Sequence, residues 1–466
     1  MNVQDRKLYS ATIWSLSLFL LAAGSVLVIA MLANVIGPFR FTALDASSRS
    51  RAVGFWIPAD GDLPYPPEIK RRAAAWRRFV GDDDIVIESN RLRDLLNAGV
   101  GVVILPDARR IDAEHADALH RYMMEGGGVI VTGSIGVRDA DDEWLGYGLM
   151  RDLLQVASIA PLPREQSDSL SAGWRGPIAA RLDPGARFGV ISEPGVAALA
   201  GSEGELLWGK AVEESGSHAG ASRRIRLGLG RLVWIGPGPE VIDESDLADR
   251  SALEGALANA IAWVRRKPVL EVMPWSNGAR YAVELGKRVD PEAGPLDDRA
   301  RFAFEDQAMA TIARAARTGE HVVIEIPISG PGDAWAEALR IRLLERIGAD
   351  GGWPVSRDQA SSWLAARAGL SVSVTQAGPN RILVNVSNRS DIAVTGVGLR
   401  LWINRPASSI QTGAINVGQV VPGVVFHRAS ESAEISMPDL AAGSTVAFYI
   451  DLDDPDFDEV AAVQSR

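Results

Sequence analysis

The sequence predicts an α/β plus all-β chain behind an N-terminal transmembrane helix, and three observations lead there. Residues 11–37 form one apolar run without a charge. From Ala52 to about Pro268, short apolar runs alternate with amphipathic stretches. From Leu370 onward the hydrophobic period changes to two.

A helix needs about 20 predominantly apolar residues to cross a bilayer core, and residues 11–37 are long enough. The run exceeds the roughly 7–15 apolar residues of a signal peptide, and no clean small-x-small cleavage site follows it. Arg6 and Lys7 precede it, and Trp14 lies near that end as an interfacial anchor. Positive residues favour the cytoplasmic side, although Arg40, Arg49 and Arg51 oppose Arg6 and Lys7. The expectation is a single-pass cell-membrane protein. Residues 1–10 would be a short cytoplasmic segment and the main body would be extracytoplasmic.

Residues 52–268 read as an α/β domain. Val53–Ile57, Ile85–Ile87 and Gly101–Leu105 are apolar enough for buried strands. Asp112 to Glu125 reads as a helix with Ala116, Leu119, Tyr122 and Met123 on one face, ended by three glycines. Val129–Thr132 is the next strand, Glu214–Ser222 a loop, and Arg226–Ile235 a hairpin-like pair. Ser251–Arg265 closes the domain as a helix. Apolar strands alternating with amphipathic helices imply a parallel sheet covered on both faces.

Residues 269–369 form a second, shorter α/β region, with strands at Tyr281–Leu285 and Val322–Pro327 and helices at Arg299–Arg317 and Ala334–Ile347. Ser356 and Gln359 form a capping box, so a helix starts there and buries Trp363. Residues 370–454 alternate apolar and polar positions between turn clusters, the pattern of an antiparallel β-sandwich. Residues 455–466 are an acidic tail.

The net charge of −11 argues against a nucleic-acid partner, because phosphate binding needs a basic surface. The absence of cysteine removes disulfides, thiolate metal sites and thiol nucleophiles together. Five histidines leave little for a metal centre, and His115 and His120 would point about 140° apart around a helix. The acidic runs at 82–84, 139–143 and 451–459 match no EF-hand spacing and read as solvated loops or tail.

Val102–Pro106, the helix after it, Glu125–Ser134 and Gly228–Gly236 together resemble the class I glutamine amidotransferase-like superfamily in its non-catalytic branches. Active members use a cysteine on a strand-to-helix turn, which this chain lacks; Ser134 follows Thr132 rather than the glycine of a nucleophile elbow. Met273–Val283, the strand into Ile326 and Pro327, and Trp353–Arg367 resemble a truncated polysaccharide deacetylase-like module. That resemblance implies a metal centre, and it carries over only Asp290, as a remnant ligand. Arg288 stands where the base would be, and no His-x-x-x-His pair occurs.

Together these readings predict a membrane-anchored, non-catalytic envelope protein that binds a glycan or partner protein during exopolysaccharide assembly, without a cofactor. Trp275, Trp353 and Trp402 are the candidate sugar-stacking residues. One alternative is an active carbohydrate N- or O-deacetylase using a divalent metal such as zinc, with Asp290 helped by Asp297, Asp298 or His321. A further alternative is a structural scaffold for another envelope protein.

Overall fold

The computed structural model describes residues 52–57, 73–80 and 85–453, except 140, 142, 164–166, 174–175, 184–186, 191–195, 201–203, 210–218, 240–246, 290–295, 331 and 417. Short β-branched runs build the first sheet. β1 (Val53–Trp56), β2 (Val86–Ser89), β3 (Val102–Leu105) and β4 (Gly128–Thr132) lie parallel to one another. Every residue of β1, β3 and β4 is buried, because both sheet faces are covered. On one face lie α1 (Leu92–Asn97), α2 (Ala113–Met124) and α3 (Gly148–Leu154), sharing a core with Leu105, Val131 and Trp234. Asp112 caps α2 by accepting from the His115 amide at 2.8 Å.

The stretch after Thr132 holds a second sheet, to which the sequence reading assigns no strand. β5 (Ile159–Leu162), β6 (Ser169–Ala172), β7 (Arg187–Gly189), β8 (Val196–Ala200), β9 (Leu206–Trp208) and β10 (Ala219–Gly220) pair antiparallel in the order β5-β8-β10-β9-β6-β7. Its strands are short and poor in β-branched residues, so no period of two stands out. The hairpin of β11 (Ser222–Leu227) and β12 (Gly230–Ile235) returns to the first sheet, β12 lying parallel to β4. α4 (Leu247–Val264) covers the remaining face, where Leu253, Leu257 and Trp263 meet Trp208 of the second sheet. Asn259 fixes this packing by donating to the Ile178 and Ala180 carbonyls at 3.2 and 2.7 Å.

β13 (Val269–Val272) leads into a three-stranded unit made of β14 (Ala282–Val289), α5 (Asp298–Thr318), β15 (His321–Ile328), α6 (Ala334–Ala349) and β16 (Trp353–Pro354). Its strands are parallel in the order β15-β14-β16. Val283, Val322, Ile324 and Ile326 face Ile312, Leu339 and Leu343 of the two helices. The capping box of α7 (Arg357–Ala368) is present, and Trp363 is buried, donating to the Pro274 carbonyl at 2.7 Å.

The last strands are β17 (Leu370–Gly378), β18 (Arg381–Asn388), β19 (Gly398–Trp402), β20 (Ile410–Ala414), β21 (Gly423–His427), β22 (Ser432–Ser436) and β23 (Thr445–Leu452). They form two antiparallel sheets, β13-β19-β22-β21 and β17-β18-β23-β20, closed over one core. β13 is thus built into the first of these sheets, pairing with β19 from Val269↔Trp402 to Val272↔Leu399.

The α/β plus all-β reading needs correction at its amino end and in its middle. Among the described residues no helix is long and apolar enough to cross a membrane. α4, at 18 residues, carries Glu254 near its middle, and a charge at the bilayer centre is costly. The transmembrane helix expected at residues 11–37 lies outside the described residues. The single-pass architecture and cell-membrane location are withdrawn. In the middle, the single parallel sheet becomes a mixed six-stranded sheet backed by an antiparallel one.

Candidate functional site

The carboxyl ends of β14 and β15 meet the first turns of α5 and α6 around a crevice of about 410 Å³. Crevices at strand carboxyl ends are where α/β units place ligands. The strands contribute Arg288, Glu325, Pro327 and Ile328 to its lining. α5 contributes Arg301, Phe304 and Gln307, and the approach to α6 contributes Ser329, Asp333 and Trp335.

Local hydrogen bonding sets these side chains. Asp297 caps α5 by accepting from the Ala300 amide at 2.7 Å, which orients the first turn bearing Arg301 and Phe304. Asp333 caps α6, accepting from the Trp335 and Ala336 amides at 3.1 and 3.2 Å through Oδ1. Its Oδ2 accepts from the Ser329 amide and hydroxyl at 3.1 and 2.8 Å. These bonds, the Ser329 hydroxyl first, hold the Asp333 carboxyl below its ordinary pKa of 3.8. Trp335 is thereby fixed on the wall, with Phe304 edge-on at 6.3 Å. The Arg301 guanidinium carbon lies 5.5 Å from the Trp335 ring centroid. The wall is therefore aromatic and cationic, with amide and hydroxyl groups around it.

A second crevice, of about 400 Å³, lies at the carboxyl ends of β1 and β2 and is lined by Ile57, Ala74, Arg77, Glu88, Ser89 and Asn90. Arg77 and Glu88 form an ion pair there and offset each other's charge.

Of the residues singled out from the sequence, Arg288 lines the first crevice, and the candidate metal and sugar-stacking residues do not converge on either one. Asp290 lies outside the described residues. His321 pairs with Ala282, whereas Val289 pairs with Ile328, so His321 sits at the opposite end of the β14–β15 pair from Val289, ~23 Å along the strand. It packs on Trp275 with ring centroids 5.9 Å apart, and burial lowers its pKa below 6.5. Asp297 is committed to capping. Among the described residues no group of three or more histidine or carboxylate side chains could hold a metal ion.

Trp275 and Trp353 do come together, at 6.5 Å, beneath the sandwich rather than on a surface. Trp275 is buried and donates to the Gly319 carbonyl at 2.7 Å, and Trp353 is half-buried. Alternation along β19 places Trp402 on a polar face, but the face it shares with Arg400 and Gly398 is covered, and Trp402 packs on Ala180 and Val269. Sequence reasoning missed Trp335, and also Trp144, which is 55% exposed and set edge-on to Tyr147 at 5.1 Å. Trp335 had one available signal, its place two residues after the helix-capping Asp333.

No family model and no curated protein matches the chain. Solved structures similar to it include a β-galactosidase from Bacillus circulans sp. alkalophilus, 12% identical with a TM-score of 0.29, covering 86% of this chain and 41% of that one. A β-galactosidase from the haloarchaeon Halorubrum lacusprofundi is 14% identical with a TM-score of 0.31, covering 87% of this chain and 40% of that one. A ThuA-like protein from Bacteroides uniformis is 13% identical with a TM-score of 0.30, covering 46% of this chain and 91% of that one. The chain spans less than half the length of these β-galactosidases. At such TM-scores the likeness assigns neither fold nor activity. No family model of either superfamily matches the chain. The expected resemblance to polysaccharide deacetylases and glutamine amidotransferases is therefore withdrawn.

Proposed function

We propose that this chain is a carbohydrate-binding accessory module and that the crevice of β14, β15, α5 and α6 holds the sugar. A sugar presents apolar C–H faces and a rim of hydroxyls, so its site needs an aromatic wall beside planar polar groups. Trp335 and Phe304 supply the wall, and Arg301, Gln307 and Ser329 supply the polar groups. The observation that carries the reading is this pairing inside a volume of about 410 Å³, with Trp335 held in place by the Asp333 cap.

Calorimetric titration of the whole chain against a panel of oligosaccharides tests this. Binding of at least one oligosaccharide is expected, weakened about tenfold or more by Trp335→Ala, a loss of about 1.4 kcal/mol. Unchanged binding to a folded Trp335→Ala variant, or binding to none of the panel, would remove the reading.

A second reading, docking of a protein partner, is favoured by one feature. Trp144 and Leu145 stand 55% and 61% exposed beside each other, on a loop pinned by the Arg138↔Trp144 bridge. Asp139 tightens the loop by accepting from the Asp141 and Glu143 amides at 2.9 and 2.8 Å.

A further inference from the structure

We infer that the ligand of the β14–β15 crevice carries a carboxylate, so that its class is an acidic sugar such as a uronic acid unit of a polysaccharide. This deepens the carbohydrate reading above and rests on it.

The inference comes from Arg301 and from the commitments of the acids around it. Arg301 lines the crevice with its guanidinium over Trp335. Its Nε is buried and has no hydrogen-bond partner among the described residues. Its ionic neighbour, Asp298, stands at 3.7 Å, beyond hydrogen-bonding distance, and that side chain is 90% exposed.

Three nearby acids among the described residues are engaged. Glu305 is held by Arg342 through two bonds of 2.9 and 2.8 Å. Glu337 pairs with Lys287. Asp333 spends both oxygens on four donors. Glu325 also lines the crevice, but register places it on the same sheet face as Arg288 and one step along: Glu325 pairs with Gly286, and Arg288 with Pro327.

What remains is a planar, permanently charged fork whose orientation is set in advance by an aromatic ring. Such a fork binds a carboxylate through two parallel charge-assisted hydrogen bonds. Stacking on Trp335 removes much of the rotamer entropy that a free arginine loses on binding. Neutral hydroxyls would meet the same donors without the charge, so they would be held less tightly.

The test compares an oligogalacturonate with its carboxyl-reduced, neutral counterpart of the same length, titrated into the whole chain by calorimetry. The acidic ligand is expected to bind at least about tenfold tighter, with the preference shrinking as salt screens the pair. Arg301→Gln is expected to erase the preference, weakening the acidic ligand about tenfold more than the neutral one. Arg301→Lys, which keeps the charge and loses the fork, is expected to fall between. Equal affinities for the two ligands in the unaltered protein would overturn the inference and leave the carbohydrate reading standing. The same holds if the preference survives in Arg301→Gln. If neither oligosaccharide binds, and no other sugar does, both readings fall together. The comparison in the unaltered protein decides the matter even if Arg301→Gln does not fold.

Discussion

Replacing Glu431 by alanine is expected to destabilise the chain by about 3–5 kcal/mol, the usual cost of stranding a buried charge. Glu431 sits at φ 49°, left-handed for a non-glycine residue, between β21 and β22. Its Oε2 accepts from Arg226 at 2.9 Å and from Arg231 at 3.1 Å. The side chains of Arg231 and Glu431 are only 4% and 7% exposed. Arg231 also donates to the Trp263 carbonyl at 2.9 Å and lies 4.8 Å from that indole's centroid. Burial pulls the Arg231 pKa down to about 9, against the opposing pull of Glu431. One carboxylate of the sandwich thus compensates two arginines of the first sheet, across 200 residues of sequence. Urea unfolding would read the loss as a lower midpoint. The double variant Glu431→Met with Arg231→Met should recover much of it, because a buried pair exchanged for apolar side chains is often near neutral. An unchanged midpoint in Glu431→Ala would show that the two units do not meet through this cluster.

Gly230→Ala is expected to cost about 3 kcal/mol or more, at the upper end of overpacking effects. Gly230 opens β12 under the carboxyl end of α2. A Cβ there would lie 2.2 Å from the Met123 carbonyl oxygen and 2.6 Å from that of Gly127. Both are backbone atoms, so no side-chain rotation relieves the clash. β12 is tied to β4 on one side and β11 on the other, so it cannot shift alone. Thermal unfolding followed by circular dichroism checks this. A variant melting with the parent protein would mean that α2 is free to rise off the sheet.

Local rules read well where the deciding contacts are themselves local. Asp112 before α2, the glycines after it, and the Ser356–Gln359 box before α7 are short-range hydrogen-bond devices, and the structure has them in place. Alternation reads poorly where neither face of a strand meets water. All five residues of β19 are buried, because the strand lies between the sandwich core and the first α/β unit. That is why Trp402 cannot be assigned to a face from its neighbours in sequence. The second sheet escapes for a related reason. Its strands β7, β9 and β10 span two or three residues each, too few to display a period. The crevice was legible at one position: Arg288, near the end of β14, is visible in the sequence as the residue replacing an expected base. Arg301 and Trp335 become neighbours only when α5 and α6 pack together, which no spacing along the chain announces.

Hydrogen–deuterium exchange of the whole chain with and without a bound acidic oligosaccharide tests the central claim most directly. The account predicts that added protection concentrates in residues 298–307 and 325–335, the two segments that form the wall of the crevice. Protection confined to the Trp144 loop or to the sandwich, with those two segments unchanged, would contradict it.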